Sequence, residues 1–336
     1  MKIKRAELIK ILEAVSPAIG KKDMQEQISG FFFTGDNIVT YNEQLCIRYP
    51  FASDFVCAVE ADKFYKILKG VEEESISITI GDSSLSVVSN KTEAKLSVSL
   101  DNASIEETTK AISTTKLMWE ELPEDFIKAL SLCLFSVSTD VAQGVLTCIY
   151  IGDGKLFSSD NYRISMYELE GIDTSILLPL SSAKELTKFD VKEYSLADSW
   201  VHFRTADNVV FSSRVIKEEY PDCAHYFKLE GGDRLRMPKD LKEAVDAVTL
   251  FAEGEIVDKE IKVAFQEDAI FCIGESKHGW VKKKVPIQYK RKDISFNINP
   301  VFFSQILNNI TSVLLTKEKA LFKSGNFKHI LALPLD

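Results

Sequence analysis

Gly144–Leu169 reads GVLTCIYIGDGKLFSSDNYRISMYEL. Its apolar opening (Val145, Leu146, Cys148, Ile149, Tyr150, Ile151) predicts a strand, and Gly152-Asp153-Gly154 is a turn signal that ends it. A second strand is expected through Leu156 and Phe157. A polar knot follows, Ser159-Asp160-Asn161-Tyr162-Arg163-Ile164, and then a third apolar segment with Met166, Tyr167 and Leu169. Ser, Asp and Asn side chains bond their own backbone in turns. The knot is therefore expected to bring Tyr162 and Arg163 to one sheet edge, where a ring and a guanidinium can line a cleft. The plainer alternative is a well-made hairpin corner.

At 336 residues, two or three domains are expected, because single cores stop growing near 250–300 residues. A chain 45% hydrophobic and 27% charged has ordinary globular composition. No apolar run approaches the ~20 residues that span a bilayer. The N-terminal MKIKRAELIKILEAV is broken by Glu7, Lys10 and Glu13, so it does not read as a secretion signal, and a cytoplasmic protein is expected. Six scattered cysteines (Cys46, Cys57, Cys133, Cys148, Cys223, Cys272) lack CxxC spacing and read as reduced, buried thiols. Four distant histidines (His202, His225, His278, His329) show no metal spacing, so neither a metal nor a cofactor is expected. A net charge of −9 argues against a general nucleic-acid coater but allows cations gathered on one face.

The stretch around Gly144–Leu169 has counterparts on both sides. Glu7-Leu8-Ile9-Lys10-Ile11-Leu12, Asp125-Phe126-Ile127-Lys128-Ala129-Leu130 and Asp240-Leu241-Lys242-Glu243-Ala244-Val245 recur at offsets of 118 and 115 residues. Apolar residues fall at i, i+3, i+4 and i+7 each time, as an amphipathic helix with one buried stripe requires. Pro123 and Pro238 precede the second and third copies, where helices start. A second helix recurs from residues 61, 181 and 299, weakest in the middle copy, where only Ala183, Leu186 and Phe189 are apolar. Alternating strands with turn signals fill the gaps. Each third is thus helix, strands, helix, strands, an α+β layer in which antiparallel sheet backs two helices. Asn102–Thr115 and Lys228–Pro238 read as polar linkers, giving domains 1–115, 116–230 and 231–336 with net charges −4, −8 and +3.

Three tandem modules with this centre resemble the bacterial DNA sliding clamp, the beta processivity subunit of DNA polymerase III, over essentially the whole chain. Gly144-Val145-Leu146 with Ser159–Ile164 stands where that family has a strand and a Thr-Asp-Gly-His-Arg-Leu turn. Phe211–Ile216 running into Tyr220-Pro221-Asp222 resembles the strand leading to Phe-Pro-Asp. Phe296–Pro300 resembles the start of the last helix, and Ile330–Leu335 the proline-containing tail. The chain departs from the family at Asn161-Tyr162, which replaces Gly-His, and at Glu26–Gly30, which replaces Pro-Ile-Leu-Gly. It also ends in Asp336 and is somewhat short. Such departures suit a divergent, phage-like member.

The resemblance implies a head-to-tail homodimeric ring, cytoplasmic, encircling double-stranded DNA without sequence preference. It would tether the replicative polymerase, clamp loader and repair proteins through short peptides. Heterologous surfaces that repeat by rotation close a ring, and a linked ring needs only weak phosphate contacts to slide. The implied DNA-facing residues are Lys10, Lys21, Lys22, Lys63, Lys66, Lys69, Lys128, Lys184, Lys188 and Lys242. The implied peptide pocket comprises Ser159, Asn161, Tyr162, Arg163, Ile164, Pro221, Tyr226, Leu331, Leu333, Pro334 and Leu335. Leu331 reads equally as plain core strand. The implied dimer joint sets Leu96 and Val98, on an edge strand, against Leu250 and Phe251 of a neighbour.

Two other classes stand against this reading. Catalysis finds no GxxxxGK[ST], GxGxxG, GxSxG or HExxH, and a triad of Ser158-Ser159-Asp160 with His202 or His225 lacks a nucleophile elbow. No enzyme is expected. A repeat-built protein-interaction scaffold shares the threefold pattern but predicts neither ring nor DNA.

Overall fold

The structure is a computed structural model that describes residues 1–20, 29–100, 117–197, 199–252, 259–289, 293–310, 312–316 and 318–333. The first linker, 102–115, and Lys21, Lys22, Pro334 and Leu335 lie outside the described residues. All six expected helices form: α1 Arg5–Val15, α2 Ala61–Gly70, α3 Phe126–Cys133, α4 Leu180–Leu186, α5 Leu241–Thr249 and α6 Pro300–Leu307. The buried stripe of α5 is Leu241, Ala244, Val245 and Val248, the four residues its periodicity names. At α6, Asn299 caps the start: its Oδ1 accepts from the Val301 and Phe302 amides at 3.0 and 3.1 Å, and Pro300 follows where no amide donor is needed.

Contacts gather the chain into two compact units. The first comprises Met1–Ile127 with Ser181–Lys217. Its strands are β1 Lys2–Lys4, β2 Gly30–Thr34, β3 Asn37–Tyr41, β4 Leu45–Pro50, β5 Val56–Glu60, β6 Ser75–Ile80, β7 Ser84–Val88, β8 Glu93–Ser99 and β9 Glu120–Glu121, then β14 Val191–Ala197, β15 Trp200–Thr205 and β16 Val210–Arg214. They form one twelve-stranded antiparallel sheet, in the order β1-β6-β7-β8-β5-β2-β3-β4-β16-β15-β14-β9. Phe31 and Phe33 of β2 meet Phe64 of α2 edge-on at 6.3 and 6.1 Å, so the helix buries its stripe on the sheet. Periodicity did not foresee β1 and β5, both short and abutting a helix start.

The second unit comprises Lys128–Leu180 with Glu218–Asp336. Its strands are β10 Cys148–Gly152, β11 Lys155–Ser159, β12 Arg163–Glu168, β13 Ile176–Pro179, β17 Asp233–Arg236, β18 Ile261–Gln266, β19 Ala269–Ser276, β20 Gly279–Pro286, β21 Ile294–Ile298, β22 Ser312–Leu315, β23 Lys319–Ser324 and β24 Phe327–Ala332. Eight run β13-β10-β11-β12-β24-β23-β22-β17, and four run β20-β19-β18-β21.

Three expectations are corrected. Gly144-Val145-Leu146 is not strand: residues 141–147 make 3₁₀ turns with Gly144 at φ +55°, and the strand begins at Cys148. Only glycine reaches that φ freely, and it breaks the extended run. Lys228–Pro238 is not all linker, because Asp233–Arg236 pairs with Ser312–Leu315 as β17. β12 is not a sheet edge, since β11 and β24 pair with it on both sides.

The two units share one kind of joint. In the first, β16 pairs with β4 through Val210↔Arg48, Phe211↔Ile47, Ser212↔Cys46 and Ser213↔Leu45. In the second, β24 pairs with β12 through Lys328↔Met166, His329↔Ser165, Ile330↔Ile164 and Leu331↔Arg163. These four pairs of the second joint match the four of the first, with both residues moved on by 118 positions, and the second joint runs one pair further, to Tyr167↔Phe327.

Candidate functional site

The polar knot is a turn built by its own side chains. Asp160 Oδ1 accepts from the Tyr162 and Arg163 amides at 3.2 Å each, and Ser159 Oγ donates to the Arg163 carbonyl at 3.0 Å. Asn161 sits at φ +72°, a left-handed position that asparagine tolerates. Its side-chain amide donates to Gln143 Oε1 at 2.7 Å. Tyr162 stands at the tip, 65% exposed.

Behind the tip the chain is extended and successive side chains alternate across the sheet. Arg163 and its partner Leu331 take one face, and Ile164 with its partner Ile330 takes the other. Ile164 and Ile330 join Phe157, Met166, Leu321 and Cys223 in an apolar cluster, with Tyr150, Tyr220, Phe227 and Leu229 packed on it. Residues 220–229, including the single 3₁₀ turn Ala224–Phe227, thus lie over this sheet face. Tyr220 stacks on Tyr150 with ring centroids 5.8 Å apart, and burial pushes its phenol pKa well above the ordinary value. Pro221 is exposed. Tyr226 is 41% exposed, with the Lys319 ammonium 5.2 Å from its ring centre.

On the opposite face, Leu331 and Leu333 belong to the core of the last third, with Phe303, Phe322 and Ala320. Of the two readings of Leu331, the structure selects core strand. Arg163 is buried there too, 6% exposed. Its Nε donates to Asp160 Oδ2 at 2.9 Å, one terminal nitrogen donates to Gln305 Oε1 at 3.2 Å, and the other donates to the Phe135 carbonyl. The guanidinium lies 3.5 Å over the Phe302 ring centre and 5.2 Å from that of Phe135. Burial lowers its pKa while the Asp160 carboxylate opposes the shift. Nearby, buried His329 shares its Nδ1 with Ser165 Oγ at 2.9 Å, and that hydroxyl meets Ser136 Oγ at 2.7 Å.

The expected wall residues therefore divide. Tyr162, Asn161, Pro221 and Tyr226 present surface; Ser159 and Ile164 form the floor behind them; Arg163, Leu331 and Leu333 face inward. Sequence reasoning missed Asp160, Phe135, Phe302 and Gln305, which surround Arg163. Only the Asp160 spacing carried a signal, an Asx-type turn.

The imagined triad has no free nucleophile. Ser158 Oγ donates to the Cys133 carbonyl at 2.6 Å, and Ser159 is spent on Arg163. Burial pushes the Cys133 thiol up to about 12, and all six cysteines are free and buried. Among the described residues no His/Cys/Asp/Glu group is arranged for a metal, and no helix is long and apolar enough to cross a membrane.

The described lysines stand on or beside helices. Lys10, Lys128 and Lys184 are exposed. Lys63, Lys66, Lys69, Lys188 and Lys242 lie 3.4, 2.7, 3.0, 2.6 and 2.6 Å from carboxylates of Glu60, Asp62, Glu13, Glu185 and Asp246. Exposed pairs of this kind are weak and screened, so these ammoniums can exchange partners.

At the expected dimer joint, Leu96 is buried and Val98 half-buried. β8 is an edge only in part. It pairs with β7 along Glu93–Ser97 and with β5 only at Val98 and Ser99. Over Glu93–Ser97 the other side has no partner among the described strands. Leu250 is 85% exposed. A Cβ on Gly279 would lie 3.6 Å from the Phe251 ring, which places that ring beside the start of β20, a sheet edge. The neighbouring Trp280, which no motif singled out, is 67% exposed.

No protein-family model matches the chain, and no curated protein matches it in sequence. Solved structures do match along its whole length. The DNA polymerase III subunit beta sliding clamp of Bartonella birtlesii, bound to griselimycin, superposes at TM-score 0.86 with 17% identity, covering 100% of this chain and 99% of that one. The C. crescentus beta sliding clamp gives 0.85 at 15% identity, covering 100% and 99%. The sliding clamp of Bacillus subtilis gives 0.82 at 16%, covering 100% and 98%.

Proposed function

We propose, for a chain whose fold is that of the bacterial DNA sliding clamps from end to end, that two copies close head to tail around double-stranded DNA. The ring tethers a replicative DNA polymerase, its clamp loader and repair proteins. The chain is a cytoplasmic processivity factor with no catalytic role, built of three clamp domains, 1–115, 116–230 and 231–336.

The observation that carries this is the repeated joint. β4 is bonded to β16, and the strands one period later, β12 and β24, are bonded in the same register. One further period from β12 falls on β20, and one period before β16 falls on β8. Among the described strands both present open edges, β20 along its length and β8 over Glu93–Ser97. A strand edge left open where the series calls for a partner is a template for the next copy. Pairing there sets the Lys282–Lys284 run of β20 alongside Glu93, with Leu250, Phe251 and Trp280 as the apolar margin.

In that ring the helices face DNA. Lys10, Lys21, Lys22, Lys63, Lys66, Lys69, Lys128, Lys184, Lys188 and Lys242 supply phosphate contacts weak enough to slide. Partner proteins lay a short extended peptide on the apolar floor of Ile164 and Cys223, rimmed by Tyr162, Pro221 and Tyr226; Pro334 and Leu335 remain expected contacts on the resemblance alone.

The test is topological. Protein loaded onto circular duplex should be retained through gel filtration, and cutting the circle should release it. Retention on the linear form would mean adhesion, and a monomer that ignores DNA would favour a protein-binding scaffold.

A further inference from the structure

We propose that Arg163 is not a wall of the peptide site but its positioning residue, fastening the turn that carries Tyr162 to helix α6. The residues that set the stance of Tyr162 are then Phe302 and Gln305, outside the pocket. The inference rests on the peptide-site reading above.

Arg163 points to the sheet face opposite the Ile164 and Cys223 cluster and is buried there, 6% exposed, so its role lies in what it holds. Its contacts form a chain of dependence. The tip amides of Tyr162 and Arg163 both donate to Asp160 Oδ1, while Asp160 Oδ2 takes the Arg163 Nε. The same guanidinium reaches 142 residues along the chain to Gln305 and sits over the ring of Phe302 of α6, 3.5 Å from its centre. Its remaining donor closes on the Phe135 carbonyl. One carboxylate shapes the turn, one guanidinium holds the carboxylate, and one helix holds the guanidinium. The helix is itself anchored, by its Asn299 cap and by Ser304 Oγ, which donates to Asp246 Oδ1 of α5 at 2.6 Å. A planar fork with five donors can do this; an ammonium can hold Asp160 but cannot bond three partners and stack at once.

The test uses the full chain, with griselimycin as the probe, followed by calorimetry. Phe302→Leu and Arg163→Lys should each weaken griselimycin about tenfold, the scale of a desolvated cation–π contact. Amide hydrogen exchange at 160–163 should rise in both. Val263→Ala, a core truncation in β18, should lower the melting temperature and leave affinity alone, which separates positioning from general stability. The double variant Phe302→Leu/Tyr162→Ala should bind no worse than Tyr162→Ala, because Phe302 acts through that ring. Unchanged affinity in Phe302→Leu and Arg163→Lys, or additivity in the double variant, overturns the proposal and leaves the pocket standing. Equal griselimycin affinity in Tyr162→Ala and the parent removes the pocket, and the proposal with it.

Discussion

Arg163 illustrates how far a residue type can be read without its neighbours. An arginine beside an exposed tyrosine in a polar turn has the composition of a binding rim, and its strand position alone turns it inward onto Phe302. His202 illustrates the same limit. It stands 2% exposed with Nδ1 2.8 Å from Ser212 Oγ, and burial lowers its pKa to about 4. A histidine depressed in the folded state is neutral in both states above about pH 6.5, so it costs nothing there. Below that the unfolded chain takes a proton the folded one refuses, and stability falls until the pH nears 4. The loss attributable to His202 is up to about 3 kcal/mol. Urea unfolding between pH 7 and 4.5 should show this decline, and His202→Asn, which keeps a partner for Ser212, should make it shallower, the remainder coming from His329, whose pKa burial also lowers. An unchanged pH slope in that variant would reject the assignment. Tyr162→Ala removes an exposed ring and should leave the fold unmoved while weakening a partner peptide at the proposed pocket; equal affinity would take Tyr162 out of the site.

At the scale of elements, helices were more legible than strands. Five were readable from an apolar stripe at i, i+3, i+4 and i+7, while α4, with only Ala183, Leu186 and Phe189, was placed by its start signal and its position in the repeat. The most explicit signal is Asn299-Pro300, and its two cap bonds at α6 are both present. Asn299→Ala should therefore cost about 1 kcal/mol of unfolding free energy, checked by the urea midpoint; no shift would mean the cap is replaceable by solvent. Strands fared unevenly. β1, at three residues, is too short to show a period, β5 runs directly into α2, and β17 lies in a stretch rich in glycine and charge that reads as linker. The apolar run at Val145 and Leu146 failed as strand because Gly144 adopts a positive φ and bends the backbone before Cys148.

At the scale of the whole molecule, the repeat is the informative quantity. Two strand joints separated by one period share a register, and the positions a third would take fall on β8 and β20, each an edge over all or part of its length among the described strands; the proposed ring pairs them between copies. Leu250→Asp with Trp280→Asp, placing charge on exposed apolar groups at that margin, should convert the proposed dimer to monomer without unfolding it. Sedimentation velocity at micromolar protein reads the outcome, and a variant that stays dimeric would move the joint elsewhere. Loss of retention on circular DNA should accompany monomerisation, since a half-ring cannot be linked. The net charge of −9 fits such a protein: a ring held by linkage needs local cations and no general attraction.

Residue order alone determined the six helices, the threefold period and the turn at Ser159–Ile164, because amphipathic spacing and Asx chemistry are local and survive translation into structure unchanged. Tertiary structure alone decided which face of β12 each residue occupies, that Arg163 answers to α6, that Leu331 and Leu333 are core, and that β8 is an edge over only part of its length. Those outcomes depend on strand register and on partners far along the chain, and a shift of one residue in register would reverse every one of them.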